Sequence, residues 1–264
     1  MKNQDRAKKL FFDIETSANV ALTWGKYDQT VPHFVREWEV LSISYCWEIN
    51  GKRDKIENIS RLDHNYATDK DLMRKFGKLL DEADMIIAHN GRKFDLKKIN
   101  SRIKKHNLPV PSSVKVIDTL EVFRRRFSLN SNKLNDIGAF LGLGKKVETG
   151  GIMLWVDCMT GFMLPGKVIK KSWRKMIKYN NQDVVLLMAV YDNSKAWING
   201  HPSVTLYGEK PGGCPTCGGT KLESKGWEYT KTSAYRRFVC TSCGSTCRSR
   251  TADKTRIKPD YVPV

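Results

Sequence analysis

Two Cys-x-x-Cys pairs, CPTC at 214–217 and CTSC at 240–243, stand 22 residues apart near the end of the chain, and each is followed by glycine. No other feature limits the fold as tightly. Four of the seven cysteines fall in this window, whereas Cys46 and Cys158 sit alone in apolar surroundings. Clustering at short fixed spacing is the pattern of a metal site, not of a disulfide framework. Cys214, Cys217, Cys240 and Cys243 are therefore expected to hold one structural Zn²⁺ tetrahedrally. With four thiolates the site is closed and has no open position for catalysis. Its metal stabilises a segment too small to bury a core of its own. Cys247 is a fifth nearby thiol that its spacing from Cys243 makes a free thiol before a ligand.

The cysteines also divide the chain. A helical stretch, VVLLMAVYDNSKAW, gives way near residue 200 to INGHPSVTLYGEKPGG, rich in turn formers. The expected domains are 1–205 and 206–264, the second ending in a basic tail. The first is long enough for a full core. In it LFFDIET and VLSISYCWEI read as strands, with KIENIS as a partner beyond the Asn50-Gly51 turn. Helical spacing then recurs in DKDLMRKFGKLLDEA and DLKKINSRIKKHN, around the strand-like MIIAH and before the strand-like VKVIDT. A short helix, LNDIGAFLGLG, and a long one, SWRKMIKYNNQDVVLLMAVYDNSKAW, complete the domain. Strands hairpinned first and alternating with helices afterwards predict an α/β fold, a mixed sheet with flanking helices.

Charge restricts the partners. The chain of 264 residues carries 46 Lys and Arg against 28 Asp and Glu, a net +18. The basic residues come as short pairs and one triplet, Arg124-Arg125-Arg126, interleaved with aromatics, which suits a folded surface tracking phosphates. No apolar run approaches the roughly 18 residues of a membrane span. The start, MKNQDRAKKL, has no apolar signal stretch, so the expected location is cytoplasmic, without a membrane partner.

Asp13 and Glu15 lie two apart at the end of an apolar strand, so both carboxylates leave the same face. Asp95 follows the strand MIIAH and opens the next helix, near the strand's carboxyl end, where open α/β sheets place their sites. Tyr179 and Asp183 are four apart on one helix face. Each pattern alone is ordinary: a polar strand end, a helix cap, a surface pair. Their order in a basic chain is not.

FFDIET, AHNGRKFDL and YNNQD resemble the three motifs of the DEDD superfamily of 3′-5′ exonucleases, in the subclass with Tyr in the third motif (DEDDy, DnaQ-like). The resemblance covers about residues 8–195 and implies a ribonuclease H-like fold. By that resemblance Asp13, Glu15, Asp95 and Asp183 match the metal-binding carboxylates, holding two Mg²⁺ or Mn²⁺ ions, and Tyr179 matches the tyrosine that orients the attacking water. His89 and Asn90 belong to the second motif as positioning residues, with Asn90 at the substrate. Asp118 resembles a recurrent acidic position outside the four. The double cysteine knuckle, about 210–250, resembles a small β-rich zinc ribbon. Ribbons bind nucleic acid or proteins, so a replication or repair protein is an alternative partner there. Stand-alone exonucleases of this type also occur in viruses and phages.

The expected activity is metal-dependent 3′-5′ exonucleolysis by a two-metal-ion mechanism. DNA is favoured as single strands or 3′ ends, and RNA comes second. In residues 18–37, Trp24, Tyr27 and Phe34 either stack on terminal bases, with Lys26 on phosphate, or pack onto the sheet. In the ribbon, Trp227, Tyr229, Tyr235, Arg236, Arg237, Phe238, Arg248 and Arg250 are the candidates for gripping substrate. Two rivals stay open: a structure-selective endonuclease on the same fold, and a non-enzymatic zinc-ribbon adaptor that binds nucleic acid.

Overall fold

The computed structural model describes residues 7–25, 27, 30–64, 68–144, 149–207, 212–256 and 261. The chain divides into two compact units: residues 8–48 with 52–190, and residues 191–264 with the segments 1–7 and 49–51.

The larger unit is built on a mixed sheet. Strand β1 (Lys8–Thr16) is followed by a two-stranded hairpin, β2 (Val20–Leu22) and β3 (His33–Arg36), and then by β4 (Val40–Ile49), β5 (Lys52–Arg53) and β6 (Glu57–Ser60). Asn50 and Gly51 both have positive φ, 53° and 74°, as a two-residue hairpin turn with the right twist requires. β6 pairs antiparallel with β4, Ser42 opposite Ser60. After the short α1 (Arg61–His64) and α2 (Lys70–Glu82) come β7 (Met85–Ala88), α3 (Asp95–Lys105) and β8 (Lys115–Asp118). β7 runs parallel to both β1 and β8, and the strand order is β5-β4-β1-β7-β8. Helices α4 (Thr119–Arg126), α5 (Leu134–Phe140), α6 (Met153–Met159) and α7 (Lys170–Ser194) complete the series.

Alternation along β1 assigns its two faces. Leu10, Phe12 and Ile14 enter a core with Leu72, Met73, Phe76 and Leu80 of α2 and Ile99 and Ile103 of α3. Phe12 meets Phe76 at 5.0 Å between ring centroids. The opposite side has its own cluster, in which Leu41 packs with Leu154 and Cys158 of α6 and with Trp173, Met176 and Tyr179 of α7. A buried ion network registers α3 on this frame. Arg102 grips Asp69 through Nε at 2.7 Å and Nη2 at 2.6 Å, while Asp69 also accepts the Val40 N–H at 2.9 Å. Burial opposes the Asp69 charge, but these bonds and one from His106 hold its carboxyl below the usual range.

In the smaller unit β9 (Leu222–Tyr229), β10 (Ala234–Cys240) and β11 (Thr246–Arg248) form an antiparallel sheet in the order β11-β10-β9. The α/β expectation and the small β-rich cysteine module are both observed. Residues 18–37, which lie between the first motif and the strand VLSISYCWEI, contain the β2–β3 hairpin, too short to be read from alternation. α4 and α6, of eight and seven residues, are too short to announce themselves by periodicity. Among the described residues, no helix is long and apolar enough to cross a membrane.

Candidate active site and metal centre

Asp13 and Glu15 leave β1 on the face opposite the α2–α3 core, and α7 brings Asp183 to the same place. Carboxylate oxygens of Asp13, Glu15 and Asp183 lie within 4.8 Å of one another. Three carboxylates this close repel unless a cation joins them, and hard oxygen donors are the set that Mg²⁺ or Mn²⁺ takes. The donor set fits such an ion.

Polar contacts lock the helix that carries Asp183. Asn180 is fully buried, and its Nδ2 donates to Asp13 Oδ2 at 2.8 Å and to the Asp13 carbonyl at 3.2 Å. Asn180 Oδ1 accepts from Ser42 Oγ at 2.9 Å, and Ser44 Oγ donates to Asn181 Oδ1 at 2.7 Å. Asn58 Nδ2 lies 2.7 Å from both serine hydroxyls. Strands β4 and β6 thus set the register of α7, and with it the distance from Asp183 to Asp13. Tyr179, one turn before Asp183, is buried against Trp155, ring edge to face at 5.9 Å and 75°. Trp155 Nε1 donates to Glu15 Oε2 at 3.0 Å.

Asp95 opens α3 and is not in the close group. Its Oδ1 accepts the Ile14 N–H at 3.3 Å, between the two strand carboxylates in sequence. Burial pushes the Asp95 carboxyl from 3.8 up to about 7, against the pull of two backbone N–H groups and Lys98 and with help from the Asp118 charge. A folded-state value above the unfolded one means that the folded protein keeps a proton the unfolded chain has released. Stability from this group is therefore greatest below the unfolded value and is lost as pH rises from about 4 to about 7. We expect Asp95→Asn to gain melting temperature relative to wild type on going from about pH 5 to about pH 8 without added divalent metal. A difference that stays constant with pH contradicts the buried-acid account.

The turn before α3 explains its own sequence. Asn90 has φ 64°, and a Cβ on Gly91 would stand 2.4 Å from the Ala88 Cβ, so no side chain fits there. Asp118 accepts the Asn90 N–H at 2.8 Å, the Arg92 N–H at 3.2 Å and the Leu120 N–H at 3.0 Å. It organises this turn while capping α4. His89 Nε2 donates to the Asn132 carbonyl at 2.9 Å, and its Nδ1 lies 2.8 Å from Thr119 Oγ1. His89 is thereby a brace for the turn.

Of the aromatics between motifs, Trp24 is 96% exposed, and Tyr27 and Phe34 are also open to solvent. The alternative that these rings pack onto the sheet is not what the fold shows: all three are exposed, Phe34 on β3 and Trp24 and Tyr27 between β2 and β3. Lys26 lies outside the described residues. In the ribbon Arg236 lies over the Trp227 ring at 4.8 Å and Arg256 at 4.3 Å, while Arg248 covers Tyr235 at 4.0 Å. Arg237 instead donates to the Lys225 carbonyl, Nε at 3.1 Å and Nη2 at 2.9 Å.

The two cysteine pairs form matching knuckles. Gly218 N–H donates to the Cys214 carbonyl at 2.7 Å and Gly244 N–H to the Cys240 carbonyl at 2.8 Å, with φ 77° and 73° at the two glycines. Cys214 and Cys243 Sγ are 3.6 Å apart, and Cys217 and Cys240 Sγ 3.7 Å. A tetrahedron with Zn–S bonds of about 2.3 Å has edges of about 3.8 Å. The four thiols fit a structural zinc. Burial works against a thiolate at Cys240, yet the Cys243 and Ser242 N–H groups and the neighbouring thiols bring it down to about 7. Cys247 is outside this four-sulfur group.

Trp155 and Asn180 carry contacts to the site that the motifs did not assign. Asn180 was legible in retrospect, three residues before Asp183 and so on its face; nothing in MLWVDCM distinguishes Trp155 from a core tryptophan.

No curated protein matches this sequence. Among solved structures, the family B DNA polymerase from the hyperthermophilic archaeon Pyrobaculum calidifontis is similar in fold, with TM-score 0.52 and 17% identity over 86% of this chain. The chain spans 32% of that polymerase. The model of the RNase H superfamily matches residues 39–194, more than half of the sequence, beginning after the strand that bears Asp13 and Glu15. On that match, with the mixed sheet and its flanking helices, this chain belongs to the RNase H superfamily.

Proposed function

We propose that the chain is a metal-dependent 3′-5′ exonuclease, acting on DNA before RNA, whose cysteine module helps hold the nucleic acid. The observation that carries this reading is the convergence of Asp13, Glu15 and Asp183 within 4.8 Å, one helical turn from Tyr179. Bound divalent ions, a pair in this reading, would supply an activated hydroxide and relieve charge on the leaving oxygen. Asp13, Glu15 and Asp183 would hold such ions directly, and Asp95 through water. Tyr179 would orient the water by hydrogen bonding, since a phenol is a poor base. Asn180 holds Asp13 in place while this happens.

The division of labour follows the two expected domains, 1–205 for hydrolysis and 206–264 for grip. Residues 212–256 carry nine Lys and Arg against three Asp and Glu. Arginines stacked on Trp227 and Tyr235 present both phosphate-binding charge and aromatic faces, which supports nucleic acid as the ribbon's partner over a protein. Exposed Trp24 and Tyr27 are a second stacking surface, on the larger unit. The likeness of fold to a DNA polymerase supports DNA as the first substrate.

The test is digestion of 5′-labelled single-stranded DNA, duplex DNA and RNA with Mg²⁺ or Mn²⁺. A ladder shortening from the 3′ end is the expected result. Internal cuts overturn it in favour of an endonuclease, and binding without metal-dependent cleavage in favour of an adaptor.

A further inference from the structure

We propose that Trp155 is a positioning residue that holds Glu15 and Tyr179 in place for metal binding, an inference that rests on the carboxylate site being a metal site. One side chain from outside the three motifs touches two groups of the site on two different elements. Its Nε1 donates to Glu15 Oε2 at 3.0 Å, and its ring meets Tyr179 at 5.9 Å.

The indole has a rigid base. Leu154 and Cys158, either side of it on α6, are buried against Trp173 and Met176 of α7. Ser172 Oγ donates to Asp157 Oδ2 at 2.6 Å and ties α6 to the start of α7. An indole nitrogen only donates, so its single proton is committed to the Glu15 carboxylate. Glutamate has a long, freely rotating side chain, and ordering it costs entropy whenever it takes a ligand. A donor that fixes the carboxylate beforehand removes much of that cost.

Trp173 supplies the contrast. It is fully buried, its ring packs on Phe162 at 5.6 Å between centroids, and its Nε1 has no hydrogen-bond partner among the described residues. Trp155 is only partly buried, and its N–H goes to a carboxylate of the site.

The test uses the full-length zinc-loaded protein and the substitution Trp155→Phe, which keeps a ring beside Tyr179 and removes the donor. Free Mn²⁺ is followed by electron paramagnetic resonance during titration, so the readout does not depend on hydrolysis. The expected result is Mn²⁺ affinity weakened about 10- to 100-fold, with an unchanged melting temperature. Half-saturating Mn²⁺ for hydrolysis should rise in parallel while kcat at saturating metal stays within about threefold. In a Glu15→Gln background, Trp155→Phe should add no further weakening. Wild-type Mn²⁺ affinity in Trp155→Phe, or additional weakening in that background, overturns the assignment while leaving the metal site standing. A wild-type protein that takes up no Mn²⁺ beyond what Asp183→Ala takes up defeats the metal reading itself, and this inference with it.

Discussion

Replacing Asp183 with alanine is expected to abolish metal-dependent hydrolysis, with a loss of about a thousandfold or more, because each ligand to a catalytic ion supports several kcal/mol of charge stabilisation. The same change should leave the metal-free protein no less stable than wild type. Asp183 is 3% exposed and shares a space of 4.8 Å with two other carboxylates, so its removal relieves repulsion where no cation is bound. Asp13→Ala should lose activity similarly, although it also leaves the buried Asn180 amide short of an acceptor. Tyr179→Phe, which keeps the ring against Trp155, should reduce turnover more gently. Rates with Mg²⁺ and Mn²⁺, set beside melting temperatures without them, check all three. Full activity in purified Asp183→Ala contradicts the assignment.

Loss of zinc should have an equally large effect on a different part of the chain. Among the described residues of 212–256, the only buried apolar side chains are Cys214, Ala234 and Cys240. The strands β9, β10 and β11 therefore have no core besides the thiol cluster. Structural zinc contributes on the order of 10–16 kcal/mol in modules of this kind, far more than three short strands supply alone. Chelation, or Cys217→Ser, is expected to unfold the ribbon and to weaken nucleic-acid binding. The sheet and helices of residues 8–190, whose apolar clusters include none of the four zinc cysteines, should stay folded. Amide resonances record this directly: those of 212–256 should collapse to random-coil positions while those of β1, β4 and β7 stay dispersed. A ribbon that keeps its dispersion without metal contradicts the fit of the four sulfurs to zinc.

How far the sequence could be read depended on whether each contact is local. The carboxylate pair on β1 follows from strand alternation, the Tyr179 and Asp183 face from the helical turn, and the zinc ligands from fixed short spacing. What stayed hidden are contacts between distant segments. Ser42 and Asn58 read as strand residues of no special role, yet they lie in the polar network that registers α7, 122 residues or more from Asn180. Asp69 stands where a helix-capping aspartate is expected, but its carboxylate makes no cap bond and goes to Arg102. Asp118 reads from the sequence as an acidic position beside the site, with a purely structural role as the alternative, but which turn it holds came only from its three backbone hydrogen bonds. Trp155 offered no local signal, because its partners come from β1 and α7.

The measurement that tests the account most directly compares linear single-stranded DNA, labelled at its 5′ end, with the same sequence closed into a circle, in Mn²⁺ and with Asp183→Ala as control. The account predicts stepwise shortening of the linear strand from its 3′ end, no cleavage of the circle, and no activity in the variant. Cleavage of the circle, or an intact linear strand at saturating metal, would contradict it.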